Sequence, residues 1–196
     1  MTEAALRRRA ALRDTLIGLA ETRIAASGLS SLRARDLAAE AGCAVGAIYN
    51  AVGDLGELAL AVNARTFQRL GAHVTDNTPA DLPPVARLTA MAQAYHHFAA
   101  QNRHAWRALF DIERAEGEAA PDWYLAQMET LFALISSPLA TLDPELPARD
   151  HALLTRALFS AVHGIVDLAL EEASAGVPEE ETDRMLALVL TRLAPA

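Results

Sequence analysis

The sequence predicts an all-α protein: a three-helix unit at the N-terminal end followed by a larger helical body. Three observations predict it. Apolar residues recur at helical spacing along nearly the whole chain, no stretch alternates as a half-buried strand does, and Gly or Pro separates the periodic stretches. With 196 residues, 52% of them hydrophobic and 21% charged, the chain can bury a core and has a globular composition.

Each element has its own signal. Leu6, Leu12, Leu16, Leu19, Ala20 and Ile24 share a face over residues 4–26, and Gly28 is the stop. Arg35 to Ala41 sets Leu37, Ala38 and Ala41 on one side and ends at Gly42. Ala44 to Asn50 forms a second short helix, and Asp54 caps a longer one that runs to about Val74. The stretch DNTPADLPP, residues 76–84, is rich in turn formers and reads as a connector. Helices are expected near 85–101, 103–116, 122–136, 150–174 and 180–193, divided by Pro121, Pro138, Pro144, Pro147 and Gly176-Val177-Pro178.

Charge is unevenly spread. Residues 1–50 hold seven arginines against five acids, whereas residues 51–196 hold ten against twenty, within a net charge of −8. Arg7, Arg8, Arg9 and Arg13 lie close together, so the small end suits a polyanion partner; the same arginines equally suit a solvated first helix. The single cysteine, Cys43, forms no internal disulfide, as in a reducing compartment. No unbroken apolar run reaches the roughly 18 residues of a span, and the early TLIGLA stretch has no cleavage-like site. The expected setting is the cytoplasm, with no membrane partner, metal or cofactor.

Two short helices around Gly42 make a helix-turn-helix, whose second helix enters the DNA major groove while the first crosses the backbone. Small side chains at Ala44, Val45, Gly46 and Ala47 allow close approach to base edges. Val45 or Ala47 suits a thymine methyl, Asn50 can pair with an adenine edge, and Tyr49 can reach a phosphate. A helix of small residues packed closely on the first helix would show the same pattern.

The stretch LRARDLAAEAGCAVGAIYNAVGDLGELALAV resembles the DNA-binding segment of the tetracycline-repressor (TetR) family. Its Leu37-Ala38, Ala41-Gly42, Gly46, Ile48-Tyr49 and Gly53-Asp54 follow the order of that family's motif over about residues 10–65. Val52 replaces a habitual Phe, and Leu55 replaces a Lys that contacts phosphate. The resemblance implies a DNA-binding domain over residues 1–53, with Arg33, Arg35, Ala44, Val45, Ala47, Tyr49 and Asn50 on DNA. It also implies a ligand-binding and dimerisation domain over residues 54–196. There FSAVHGIVDLAL, with His163-Gly164, resembles the WHG-type C-terminal domain, Val162 standing where Trp would be.

Residues 150–174 are apolar around most of the helix circumference and require cover on nearly all sides. Leu154, Leu158, Leu186, Val189, Leu190 and Leu193 are therefore expected in a four-helix interface with a second copy; burial within one subunit is the alternative. Met91, Tyr95, Trp106, Phe110, Trp123, Met128, Phe159 and His163 are candidates to line a pocket for a small apolar or aromatic effector, though each also suits an ordinary core.

Ser160, His163 and Asp167 name a hydrolytic triad, but they project from one continuous helix without a nucleophile elbow, so an enzyme is not expected. His163 reads as an interior histidine bonded to Asp167, or as a polar anchor at a pocket edge. His96 and His97, being adjacent, point in different directions on a helix, which is poor spacing for a shared metal. Cys43 reads as a buried small side chain or a thiol sensor. Taken together the expectation is a homodimeric regulator, a repressor released from palindromic operator DNA by its effector. The competing readings are a helical dimer with weakened DNA binding, for which Leu55 speaks, and a small helical hydrolase.

Overall fold

The structure, a computed structural model, describes residues 2–112, 119–171 and 177–193, with the side chain of Leu193 outside the description. Among the described residues all regular structure is helical. The helices are Glu3–Ser27 (α1), Ala34–Glu40 (α2), Val45–Val52 (α3), Leu55–Asp76 (α4), Pro84–Gln101 (α5), Arg103–Arg107 (α6), Asp122–Leu142 (α7), Ala148–Leu170 (α8) and Glu179–Leu193 (α9). The chain divides into two compact units: Met1–Phe67 with Asn102–Tyr124, and Gln68–Gln101 with Leu125–Ala196.

In the first unit α1 presents Leu16, Ile17, Ala20 and Ile24 to a core completed by Leu37 and Ala38 of α2, Ile48 and Ala51 of α3, Leu58 and Val62 of α4, and Ala108. α1 stops at Gly28, whose φ of 76° and ψ of 177° belong to a region that only glycine enters freely. One turn of 3-10 helix, Leu29–Ser31, follows and had no signal in the periodicity. Between α2 and α3 the Gly42 N–H donates to the Ala39 carbonyl at 3.3 Å, and the Cys43 N–H to that of Ala38 at 2.9 Å. These are the two bonds of a Schellman cap, with Gly42 at φ 63° in the left-handed position the cap requires. At the start of α4 the Asp54 carboxylate accepts from the Glu57 N–H at 2.8 Å, the N-cap that the sequence signalled.

The unit is also tied across a long sequence separation. Asn63 is fully buried on α4, and its Nδ2 donates to the Ala108 carbonyl at 2.6 Å.

The second unit joins α5, α8 and α9. Thr155, Leu158, Val162 and Val166 form the inward stripe of α8 at spacings of three and four, and Leu186 and Leu190 do the same on α9. Several boundaries differ from the sequence expectation; α8, expected over 150–174, spans Ala148–Leu170, and residues 172–174 lie outside the description. Among its described residues the stretch expected at 103–116 is helical over Arg103–Arg107, and its residues 113–116 lie outside the description. α7 runs through Pro138, expected to end it, and reaches Leu142. A proline inside a helix costs about 3 kcal/mol. Pro138 sits near the helix end, and Pro138 with Leu139 is buried, which offsets much of that cost at about 1.5–3 kcal/mol per fully buried apolar side chain.

By length and composition α7 and α8 are apolar enough to cross a membrane, although each contains polar residues that break its apolar runs. Much of that apolar surface is uncovered in the single chain: Leu125, Leu153, Leu154 and Leu168 are exposed.

Candidate functional site

α3 is held by one face only. Ile48 and Ala51 are buried in the core, while Ala44, Val45, Gly46, Tyr49 and Asn50 are exposed and Ala47 is half-buried. An added Cβ at Gly46 would meet nothing within 4 Å. Packing inside the chain therefore does not demand small residues at positions 44–46. The surface they form is low and flanked by a phenol and an amide, and it offers hydrogen-bonding groups of the kind that read a base edge. Arg33 and Arg35, just before and within α2, are exposed as well.

Ion pairs tie the neighbouring α2 to α1. Arg23 of α1 is ion-paired with Glu40 and, at 3.5 Å, with Asp36. Its guanidinium is held above its ordinary value chiefly by the Glu40 hydrogen bond, against some desolvation and with help from the Glu40 and Asp36 charges. Arg23 is thus engaged in orienting α2. Cys43, Val52 and Leu55 are partly buried and packed against the core, so the Leu55 side chain is turned towards it.

The eight side chains expected to line a pocket fall into both units. Trp106, Phe110 and Trp123 belong to the first, where Trp106 is fully buried and its ring lies 5.5 Å from that of Phe110; Trp123 is exposed and pairs with Tyr124 at 5.7 Å. Met91, Tyr95, Met128, Phe159 and His163 belong to the second. There the structure joins Tyr95 of α5 to Phe159 and His163 of α8: the Tyr95 hydroxyl and His163 Nδ1 share a 2.9 Å hydrogen bond, and Phe159 stacks on the imidazole at 5.6 Å. Phe132 of α7 packs edge-on against Phe159 at 5.3 Å.

The ring that the sequence tied to Asp167 thus shares a hydrogen bond with Tyr95. Burial pushes the His163 imidazole below its ordinary value, with Asp167 acting in the opposite sense. A neutral imidazole beside the rings of Tyr95 and Phe159 is an apolar surface with one polar point. Ser160, by contrast, is exposed.

The sequence reading of His96 and His97 is corrected by the structure. The two are adjacent on α5, and His96 uses its near nitrogen, Nδ1, while His97 uses its far one, Nε2. Each donates at 2.9 Å to a different oxygen of Asp183 on α9. No spacing rule could find this, because the third residue lies 86–87 positions away.

Of the residues expected at a subunit interface, Leu158, Leu186 and Leu190 are buried within the chain and Val189 is half-buried, while Leu154 is exposed. The first three fill their own unit's interior because they sit on the inward stripes. The outward apolar residues on these helices are Leu153, Leu154 and Leu168 of α8 and Met185 and Leu188 of α9.

Comparison with known proteins agrees with this architecture. A family profile described as Tetracyclin repressor-like, C-terminal domain, matches residues 88–193. A protein of unknown function from Rhodococcus sp. RHA1 has a similar structure, with a TM-score of 0.74 at 25% identity, covering 94% of this chain and 96% of that one. A tetR-family transcriptional regulator from Streptomyces coelicolor superposes with a TM-score of 0.68 at 20% identity, covering 93% and 79%. RolR, solved in complex with the ligand resorcinol, gives 0.72 at 17% identity, covering 97% and 91%. A search of curated proteins finds no match. The chain belongs to the tetracycline-repressor family of transcriptional regulators.

Proposed function

We propose that this chain is a homodimeric repressor that binds a palindromic operator in the cytoplasm and leaves it when a small apolar or aromatic molecule occupies the body. The observation that carries the reading is α3, anchored by Ile48 and Ala51 with Val45, Tyr49 and Asn50 turned outward. In function, residues 1–53 read DNA and residues 54–196 bind the effector and pair the subunits.

Two such helices must lie about 34–36 Å apart to enter successive major grooves, so reading requires a dimer. Outward apolar residues on α8 and α9 support pairing there, since a surface of this kind is self-complementary about a two-fold axis. The Tyr95, Phe159 and His163 group supports an aromatic effector with a polar substituent: rings for the faces, a hydroxyl and an imidazole for the substituent. That RolR was solved with resorcinol favours the same ligand class. The effector must bind one arrangement of the dimer better than another, and a coupling of about 1–3 kcal/mol changes operator affinity by roughly 5–150-fold.

The test is a gel shift with DNA flanking the protein's own gene, run with wild type and Asn50→Ala beside a random duplex. A shift of the flanking DNA that Asn50→Ala weakens supports the reading. Equal binding to both duplexes, or none to either, overturns it; the second result would favour a helical dimer that has lost its DNA, as the inward Leu55 allows.

A further inference from the structure

We infer that His96, His97 and Asp183 form a binding site for a divalent ion of the zinc type, clipping α9 to α5. Their ligand atoms, His96 Nδ1, His97 Nε2 and a carboxylate oxygen of Asp183, all lie within 4.8 Å of one another. A tetrahedral ion with bonds of about 2.0–2.1 Å sets its ligand atoms about 3.3 Å apart. Asp183 holds each ring on a different carboxylate oxygen at 2.9 Å, so one of these oxygens and the two ring nitrogens, now within 4.8 Å of one another, reach the tetrahedral spacing by small side-chain shifts.

The donor set selects the metal. Two imidazoles and a carboxylate suit zinc, cobalt, nickel or copper; magnesium and calcium prefer an all-oxygen shell. Glu179, one turn before Asp183, has Oε1 3.7 Å from His97 Nε2 and can supply a fourth ligand or orient a bound water. The site is built from two surroundings. His96 is 2% exposed, which fixes one ligand inside the unit, whereas the side chains of His97 and Glu179 are 39% and 63% exposed and leave an entry from solvent.

Without an ion, Asp183 accepts one N–H from each ring. With one, both facing nitrogens must present lone pairs, so the N–H of each neutral ring moves to its other nitrogen. The ion therefore takes the place of the two N–H groups that now face Asp183. Because the ligands come from elements some 87 positions apart, the unfolded chain cannot assemble them, and the ion stabilises the folded state.

The full-length protein, stripped with a chelator and desalted, is titrated with Zn²⁺ and separately with Mg²⁺ by calorimetry, and with Co²⁺ by visible absorption. Expected is one Zn²⁺ per chain, a Co²⁺ band of nitrogen and oxygen ligation, and no response to Mg²⁺. At an ion concentration about 100 times Kd the melting temperature should rise by about 5–10 °C. His97→Ala and Asp183→Asn should each weaken Zn²⁺ by more than about 100-fold, since even the partners of metal ligands are worth about 10–100-fold. Should Asp183→Asn fail to fold, His97→Ala decides, because that side chain is substantially exposed. No binding by the folded wild type overturns the proposal, and so does binding that His97→Ala weakens less than tenfold.

Discussion

Leu186 and Leu188 lie two positions apart on α9, yet a glutamate should act in opposite ways at the two. Leu186 is 0% exposed within the chain and Leu188 is 55% exposed. Leu186→Glu removes packing worth about 2–5 kcal/mol and buries a carboxylate at several more, against a total stability of about 5–15 kcal/mol for a domain. Most of the folded population should be lost. Leu188→Glu is a surface change for the single chain, within about 0.5 kcal/mol of neutral. In an α8–α9 dimer it occurs twice about the two-fold axis. At about 3 kcal/mol per desolvated carboxylate, the pair weakens association by about 6 kcal/mol, or some four decades. A nanomolar dimer would then dissociate at about 10 μM. Sedimentation at low micromolar concentration with a parallel circular-dichroism melt reads both effects. A Leu188→Glu protein that melts normally and still sediments as a dimer refutes the placement of the interface on α9; a folded, soluble Leu186→Glu protein refutes the inward assignment of that side chain.

Asn50→Ala should weaken operator binding by about 1–3 kcal/mol and leave random DNA nearly unchanged, as measured by competition gel shifts; equal losses would make Asn50 a backbone contact. Gly28→Ala should destabilise by about 1–3 kcal/mol from backbone strain alone, since its nearest neighbour, His104 Nδ1, is at an ordinary 3.6 Å from the added Cβ. At Gly42 the left-handed cap position tolerates Asn, so Gly42→Asn should retain more stability in urea titration than Gly28→Asn. For His163, burial favours the neutral ring in the folded state, so the unfolded chain takes up protons first. The stability this ring contributes is complete above its unfolded value, near 6.5, and is lost as pH falls through its lower folded value. Melts of wild type and His163→Gln from pH 7.5 to 5 should therefore converge on acidification, and curves that stay parallel would contradict the assignment.

Helices were legible because each buries one face, and a stripe such as Leu16, Ala20 and Ile24 is written directly in the spacing. The turn at Gly42 and the cap at Asp54 were legible for the same local reason. α7 continues past its predicted end at Pro138 because burial of Pro138 and Leu139, a tertiary effect, offsets much of the local penalty. Which leucines of α8 and α9 face outward was not readable, since both helices are apolar on more than one side and only packing decides which side the chain itself covers. Asp183 was beyond any local pattern, and so was the partner of the His163 ring: Tyr95 lies on another helix, 68 positions away.

The bond from Asn63 to the Ala108 carbonyl has a consequence for synthesis. The N-terminal core includes Ala108, while residues 68–101 between belong to the other unit. As the chain leaves the ribosome, its first helices therefore wait, with part of their core uncovered, until residues beyond 108 emerge. A fragment ending at residue 67 would keep the whole of α3 but leave the Asn63 amide without its acceptor in an apolar interior. Folding of the end that comes first is completed by a segment that comes later, and a premature stop before residue 108 should yield a fragment recognised as unfolded and degraded.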